Sequence, residues 1–301
     1  MKRRVVKNQP SKTEKRADLI LTSDWHLLEK NPICRIDDLV ETQWWKVQFI
    51  KDLQTSYNCP VIHAGDLFDK WKPSPWLLTM TMVFMPKMFY TVLGNHDLPQ
   101  HNIDNVFKSG VRTLIEAGKI LMDIGIGKGN WGQEPDDIKL FNRRIAVLHK
   151  QVYRGKKPYG WSGGTPAIKF LMQYPQFDLI VTGDNHKPFV EECEGRLLVN
   201  PGSLLRLEAD QIDHKPRIYL WDAGTNTVEC VYIPIKKGVV SNEHLIVKKQ
   251  REDRIEAFIK MLDTDWDTSL SFERNMQLFF ENNRLRKKVK ELILKVMSDD
   301  E

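Results

Sequence analysis

Val61-Ile62-His63-Ala64-Gly65-Asp66-Leu67-Phe68-Asp69 is a short, mostly apolar run that stops at a glycine and two carboxylates. A run of this length, closed by a turn residue, reads as a buried strand feeding a loop. The same figure recurs on both sides. Upstream, Ala17-Asp18-Leu19-Ile20-Leu21-Thr22 runs into Ser23-Asp24-Trp25-His26. Downstream, Phe89-Tyr90-Thr91-Val92-Leu93 ends at Gly94-Asn95-His96-Asp97, and Ile145-Ala146-Val147-Leu148 ends at His149. Phe177-Asp178-Leu179-Ile180-Val181-Thr182 ends at Gly183-Asp184-Asn185-His186. Each of the five strands delivers Asp, Asn or His to a loop.

Helical segments fill the early gaps. Residues 36–54 place Leu39, Val47, Ile50 and Leu53 on one face, and residues 75–88 are rich in Leu, Met, Trp and Phe. Later runs follow one another without a helix: Arg196-Leu197-Leu198-Val199, then 217–221 and 228–233 around Gly224-Thr225-Asn226. Helices between early strands and hairpins between late ones predict mixed sheets with helices outside, an α/β (α+β) fold. Beyond Pro234 and Gly238 the period turns helical. Ile255, Phe258, Ile259 and Leu262 share a face, as do Phe272, Met276, Phe279 and Phe280, and then Leu285, Val289, Leu292, Ile293 and Val296. Three regions are expected: an arm at 1–16, a main domain at 17–235 and a helical C-terminal region at 236–301.

Loops at the carboxyl ends of strands gather at one sheet edge, where ligands bind. The side chains gathered there are oxygen and nitrogen donors without a thiolate, which suits Mn, Mg, Fe or Zn in an open site. One Asp-x-His pair is weak evidence for this. Five such loops in order, each after a strand, are strong evidence.

The set Asp24-Trp25-His26, Gly65-Asp66, Gly94-Asn95-His96-Asp97, His149 and Gly183-Asp184-Asn185-His186 resembles the calcineurin-like metallophosphoesterases. That pattern runs D-x-H, G-D, G-N-H-D/E, a lone His, then G-H-x-H. The resemblance covers about 17–235. It implies a four-layer αββα sandwich of two mixed sheets, and two divalent metal ions. By the same resemblance Asp24, His26 and His186 hold the first ion, and Asn95, His149 and position 184 the second. Asp66 bridges them, and His96 faces the substrate as general acid. Asp69 is then the carboxylate that orients His96. Within the family the wording 23–26, 63–69, 94–99 and 147–150 looks most like the SbcD-like DNA-repair nucleases. One departure stands out, because Asp184 replaces a ligand His. Either Asp184 binds through oxygen, which favours Mn over Zn, or the second metal is weakly held.

The chain carries a net +5. Residues 1–17 hold seven basic groups against Glu14, a net +6, so the rest of the chain carries −1. A basic arm can hold a polyanion, and a solvated terminus is the bland alternative. Residues 150–161 interleave Lys150, Tyr153, Arg154, Lys156 and Lys157 with glycines and aromatics, a pattern suited to gripping nucleic acid. Residues 71–76 are a second candidate wall of the cleft. His101 and Arg206 are further candidate substrate contacts. His63 reads as a core histidine, and His214 and His244 as surface residues.

Cys34, Cys59, Cys193 and Cys230 form no C-x-x-C pair, so reduced, mostly buried thiols are expected. No apolar run reaches membrane-spanning length and no secretory signal is present, so a cytoplasmic setting is expected. The expected function is a Mn-dependent nuclease acting on nucleic acid, with an ATPase partner that could dock on the C-terminal helices. Two alternatives remain open. One is a phosphodiesterase or phosphatase for a small nucleotide or phosphoprotein, and the other is a nucleic-acid-binding accessory subunit with a degenerate site.

Overall fold

The computed structural model describes residues 16–121, 125–136, 139–140, 142–264, 272–282 and 284–291. The basic arm before Arg16 and the apolar positions Leu292, Ile293 and Val296 lie outside them. Two compact units divide at residues 241 and 242.

The first unit opens with β1 (Leu19–Thr22), α1 (Leu39–Tyr57), β2 (Val61–His63), α2 (Pro75–Phe84), β3 (Phe89–Thr91) and α3 (Gly110–Glu116). It continues with β4 (Gly127–Gly129), β5 (Lys139–Leu140), β6 (Arg143–His149), β7 (Val152–Tyr153), β8 (Thr165–Pro166) and α4 (Ala167–Gln173). Then come β9 (Leu179–Gly183), β10 (Phe189–Cys193), β11 (Arg196–Asn200), β12 (Arg217–Asp222) and β13 (Thr227–Tyr232). The second unit holds α5 (Glu243–Thr264) and α6 (Phe272–Asn282).

One sheet runs β13-β12-β1-β2-β3 and the other β10-β11-β9-β6-β4, with β5 paired to β6. β1, β2 and β3 are parallel, as are β4, β6, β9 and β11. β10, β12 and β13 join antiparallel.

Strand side chains alternate between faces, and here that alternation builds four layers. Leu19 and Leu21 of β1 pack toward Val147, Leu179 and Val181 of the other sheet, whereas Ile20 joins Val47, Ile50 and Leu77 of the helices. On the far side, Ala146, Leu148 and Ile180 pack on Phe170 and Leu171 of α4. The αββα sandwich is therefore present, with one helical layer on each sheet.

Local chemistry moves the helix ends from their expected places. α1 starts at Leu39 because Asp38 caps it, accepting from Glu41 N, and it stops at Asn58 in the left-handed region (φ 49). α2 starts after the Ser74 cap with Pro75 at its first position, but ends at Phe84. Met85 precedes Pro86 and takes extended ψ, as a residue before proline must. Among the described residues no helix is long and apolar enough to cross a membrane. All four cysteines are free, but only Cys34 and Cys59 are buried, and Cys230 on the edge strand β13 is exposed.

Candidate functional site

The carboxyl ends of β1, β2 and β3 in one sheet, and of β6 and β9 in the other, bring five loops together. Their backbone is unusual. Asp24 (φ 49), His26 (φ 45), Asp66 (φ 59) and Asp184 (φ 77) all sit in the left-handed region. A non-glycine residue there costs roughly 1–2 kcal/mol, so it persists only where its surroundings hold it. The holding bonds are visible. Asp24 N donates to Gly65 O (3.0 Å), His26 N to Asp66 O (3.0 Å) and Leu204 N to Asp24 O (3.1 Å). Asp184 N donates to Asp24 Oδ1 (3.0 Å), and His96 N to Asp66 Oδ1 (2.9 Å). The strap 200–203 adds Ser203 N to His186 O (3.2 Å) and receives Ser23 Oγ at Gly202 O (3.1 Å).

The side chains form two groups of donor atoms. In the first, His26 Nε2 lies 3.1 Å from His186 Nε2, and each lies 3.9 Å from Asp24 Oδ1. In the second, His149 Nε2 faces Asn95 Oδ1 (3.1 Å), Asp66 Oδ2 (3.3 Å) and Asp184 Oδ1 (3.8 Å). Asp66 Oδ2 is also 3.6 Å from His26 Nε2, so one carboxylate is common to both groups. The seven side chains read from sequence as ligands are thus brought together.

The arrangement fits divalent cations. His149 Nδ1 sits 2.7 Å from Ala64 O, and a carbonyl only accepts, so that nitrogen carries the proton. A neutral ring would turn the lone pair of Nε2 toward three oxygens, a repulsive cluster that either a cation or a proton on Nε2 relieves. Asp24 Oδ2, Asp184 Oδ2 and His26 Nδ1 are buried with no hydrogen-bond partner among the described residues. Unpaired buried polar atoms are rare away from functional or metal sites.

Without a cation, the same cluster draws a proton to His149 instead. Burial works against the Asp66 carboxylate, but His149 and His26 outweigh it and hold the group well below the usual carboxylate range. Burial equally opposes charge on His149, and Asp66 outweighs that and raises it. Burial raises Asp24 and Asp184 and lowers His26 to about 3, so His26 is a neutral donor.

His96 borders this cluster. Its Nδ1 donates to the Asp69 backbone carbonyl (2.8 Å), which leaves Nε2 as the free ring nitrogen. The expected pairing of His96 with the Asp69 carboxylate is therefore corrected. The Asp69 carbonyl orients His96, and its Oδ1 lies 4.0 Å from His26 Nδ1 instead. Burial lowers the His96 pKa, but Asp66 and the Asp69 carbonyl outweigh it and the net direction is up.

One residue had no assigned role in the sequence reading. Asp97 is fully buried and accepts from the backbone of Asp66 (2.9 Å), Leu67 (3.0 Å), Phe68 (3.3 Å) and Gly94 (3.0 Å). It staples the β2 loop to the β3 loop. The two loops also cross closely: a Cβ on Gly94 would overlap the Asp66 carboxylate, and one on Gly65 (φ +92) would enter the His149 ring. Only the Gly-Asp wording hinted at this.

The candidate substrate contacts fare differently. Lys150 Nζ pairs with Glu134 (2.7 Å), Arg154 with Glu191 (3.0 Å), and Lys157 reaches Ser162 O (3.4 Å). Tyr153 packs edge-on against Trp161, and Lys156 is exposed. His101 is exposed and donates through Nδ1 to Asn95 O (2.9 Å), so it braces a ligand loop from outside. Arg206 is a correction. Its side chain is 3% exposed and donates to Ile212 O and Lys236 O, so it is tied into the fold and cannot reach a phosphate. His214 is not a free surface residue either, because Nε2 donates to Ser203 O (2.8 Å) beneath the strap. His63 is a core histidine, fully buried, with Nδ1 2.8 Å from Thr91 Oγ1 and its ring edge-on to Trp25.

A cavity of 580 Å³ opens from Asp24, His26, His96 and His186. Residues from 27–32, 69–77 and 203–211 line the rest of it, and none from 150–161 does. Of the candidate wall at 71–76, Lys72 and Pro73 line it, whereas Trp76 packs against Trp44 outside.

The profile of the family described as calcineurin-like phosphoesterase matches residues 18–188, a span containing all seven donor residues and His96. A probable metallophosphoesterase of Methanothermobacter thermautotrophicus is 26% identical over 99 residues, 28% of this chain and 54% of the relative. Another, of Methanocaldococcus jannaschii, is 25% identical over 123 residues, 40% of this chain and 59% of the relative. The matched segments thus span little more than half of these curated relatives. Among solved structures, a novel archaeal phosphodiesterase superposes with a TM-score of 0.41 at 14% identity, covering 71% of this chain and 99% of the other. Vacuolar Protein Sorting 29 from Cryptosporidium parvum superposes with a TM-score of 0.36 at 18% identity, covering 73% and 100%.

Proposed function

We propose, from the premise that this chain belongs to the calcineurin-like phosphoesterase family, that it is a two-metal nuclease hydrolysing nucleic-acid phosphodiesters. The observation that carries the phosphoesterase part is the Asp66 carboxylate, shared by two donor groups with His96 at their border. The nuclease part rests on the loop wording at 23–26, 63–69, 94–99 and 147–150.

Asp24, His26 and His186 would hold one ion and Asn95, His149 and Asp184 the other, with Asp66 common to both donor groups. Such a pair of ions, when bound, polarises the phosphate and supplies a nucleophile from water. The chain's own residues do the rest. Asn95 contributes a neutral oxygen, which limits negative charge beside an anionic substrate. The Ala64 carbonyl fixes the His149 tautomer, so its Nε2 stays aimed at the donors. The Asp69 carbonyl does the same for His96, so its Nε2 hands a proton to the departing oxygen. Asp184 adds an oxygen donor, which favours manganese over zinc. A cytoplasmic setting, and an ATPase partner docked on the C-terminal helices, belong to the same reading.

The test supplies Mn²⁺ and labelled single- and double-stranded DNA beside bis-p-nitrophenyl phosphate. Cleavage of DNA and of the small diester is expected. Turnover of the small diester with DNA left intact would sink the nuclease reading and leave a phosphodiesterase of narrower substrate.

A further inference from the structure

The cavity that opens from the metal-side residues is more than room for one phosphate. Its 580 Å³ falls within the roughly 300–1,000 Å³ of organic-ligand sites. Its floor is apolar, from Leu28, Leu77, Leu205 and Leu207. Its rim carries Lys30, Lys70 and Lys72, all exposed, and no hydrogen bond or ion pair engages any of them among the described residues. The two rim glutamates are occupied. Glu29 accepts from Ser74 Oγ, and Glu208 caps the turn that follows it. Of the charged side chains on this wall, the three lysines are thus the ones left without a polar partner among the described residues.

The floor is also fixed in advance. Lys46 Nζ donates to Leu204 O (2.7 Å), Arg35 Nη1 to Arg206 O (3.1 Å), and Cys34 Sγ to Leu207 O (3.0 Å). A strap pinned at three carbonyls keeps Leu205 and Leu207 in place before a ligand arrives, which lowers the ordering cost of binding.

We infer that this cavity seats the nucleotide next to the scissile phosphate, with its sugar and base on the leucine floor and its next phosphate on Lys30, Lys70 and Lys72. The inference rests on the nuclease reading and adds to it a second recognised phosphate. Among the described residues no Phe, Tyr or Trp lines the cavity, so recognition away from the histidine end is apolar and electrostatic and tolerates any base. A phosphoester without a flanking anion leaves the lysines unused.

The test compares dithymidylate carrying a 5′ phosphate, a 3′ phosphate or neither, with the Mn²⁺-loaded full chain. The wild type should cleave one phosphorylated form about tenfold faster in kcat/KM than the bare dinucleotide, the scale of one charge-assisted hydrogen bond. The variant Lys30→Ala/Lys70→Ala/Lys72→Ala should lose that preference and show a shallower salt dependence. Three exposed lysines leave the core untouched, and circular dichroism checks this. Equal cleavage of all three forms by the wild type, or a preference that survives in the variant, overturns the inference and leaves the nuclease reading standing. Turnover of bis-p-nitrophenyl phosphate with no nucleotide cleaved removes that reading and the inference with it. Should no turnover be seen, calorimetric binding of the phosphorylated dinucleotides to the calcium-loaded protein makes the same comparison. Equal affinity in wild type and variant overturns the inference there too.

Discussion

Two basic segments flank the metal-type cluster, and they use their charge in opposite ways. On one side Lys30, Lys70 and Lys72 stand at the rim of a cavity without partners among the described residues. On the other, Lys150 and Arg154 are drawn to Glu134 and Glu191, and Lys157 to a carbonyl. In sequence the second segment is the more conspicuous, with five basic or tyrosine candidates within eight residues. The first is split across 30–72 and has no local signature. A cation is free to bind substrate only if nothing nearby has claimed it, and that depends on carboxylates far away in the chain.

The contrast can be broken or sharpened by experiment. The largest effect is expected at His96, on the cavity side. His96→Ala should lower kcat by about 10²–10⁴-fold, the usual worth of a general acid, with metal content by mass spectrometry unchanged. Turnover that survives would remove the proton-donor role. Next comes Asp97, which braces the same side from behind. Asp97→Asn swaps an acceptor-only group for one that turns an NH₂ toward backbone donors. Urea unfolding should register a loss of about 2 kcal/mol.

Lys46, under the strap, gives a pH signature. Burial, with Arg206 and Arg35 nearby, lowers its folded-state pKa to about 7 from the ordinary 10.5. Below pH 7 both folded and unfolded chains bind the proton, so the full penalty of burying the charge is present. Between 7 and 10.5 only the unfolded chain binds it, so stability rises with pH by at most about 1.4 kcal/mol per unit. From pH 7 to 9 the unfolding midpoint of the wild type should climb relative to that of Lys46→Met, a difference in which the pH dependence of the other buried groups, His149 among them, cancels. The smallest effects belong to the 150–161 side. Lys156→Ala/Lys157→Ala should change DNA cleavage by less than about twofold. Glu134→Gln/Glu191→Gln, which frees Lys150 and Arg154, should tighten DNA binding only severalfold, since exposed ion pairs are worth about 0.2–1 kcal/mol. A tenfold loss in the lysine variant would reverse the comparison.

The same contrast marks what could be read from the chain alone. β1, β2, β6 and β9 were legible because each is a buried apolar run with a turn at its end. The donor residues followed because a strand end fixes where its loop lies. β4 was not legible, since Gly127-Lys128-Gly129 has no strand propensity and pairs only because β6 offers an edge. Asp97 was visible as part of a motif but not as a staple, because its partners lie about thirty residues back. Arg206 looked free for the same reason: its carbonyl acceptors at Ile212 and Lys236 belong to loops whose paths no local pattern predicts.

The crossing of the β2 and β3 loops has a consequence for any mutational scan of this protein. Gly94 and Gly65 donate nothing to a cation, yet a methyl group at either would displace the Asp66 carboxylate or the His149 ring. A screen that maps ligands by lost activity would score both glycines as ligands. Activity loss alone therefore overcounts the metal shell. Titrating each variant with excess Mn²⁺ would separate a donor that has been removed from one that has only been pushed aside.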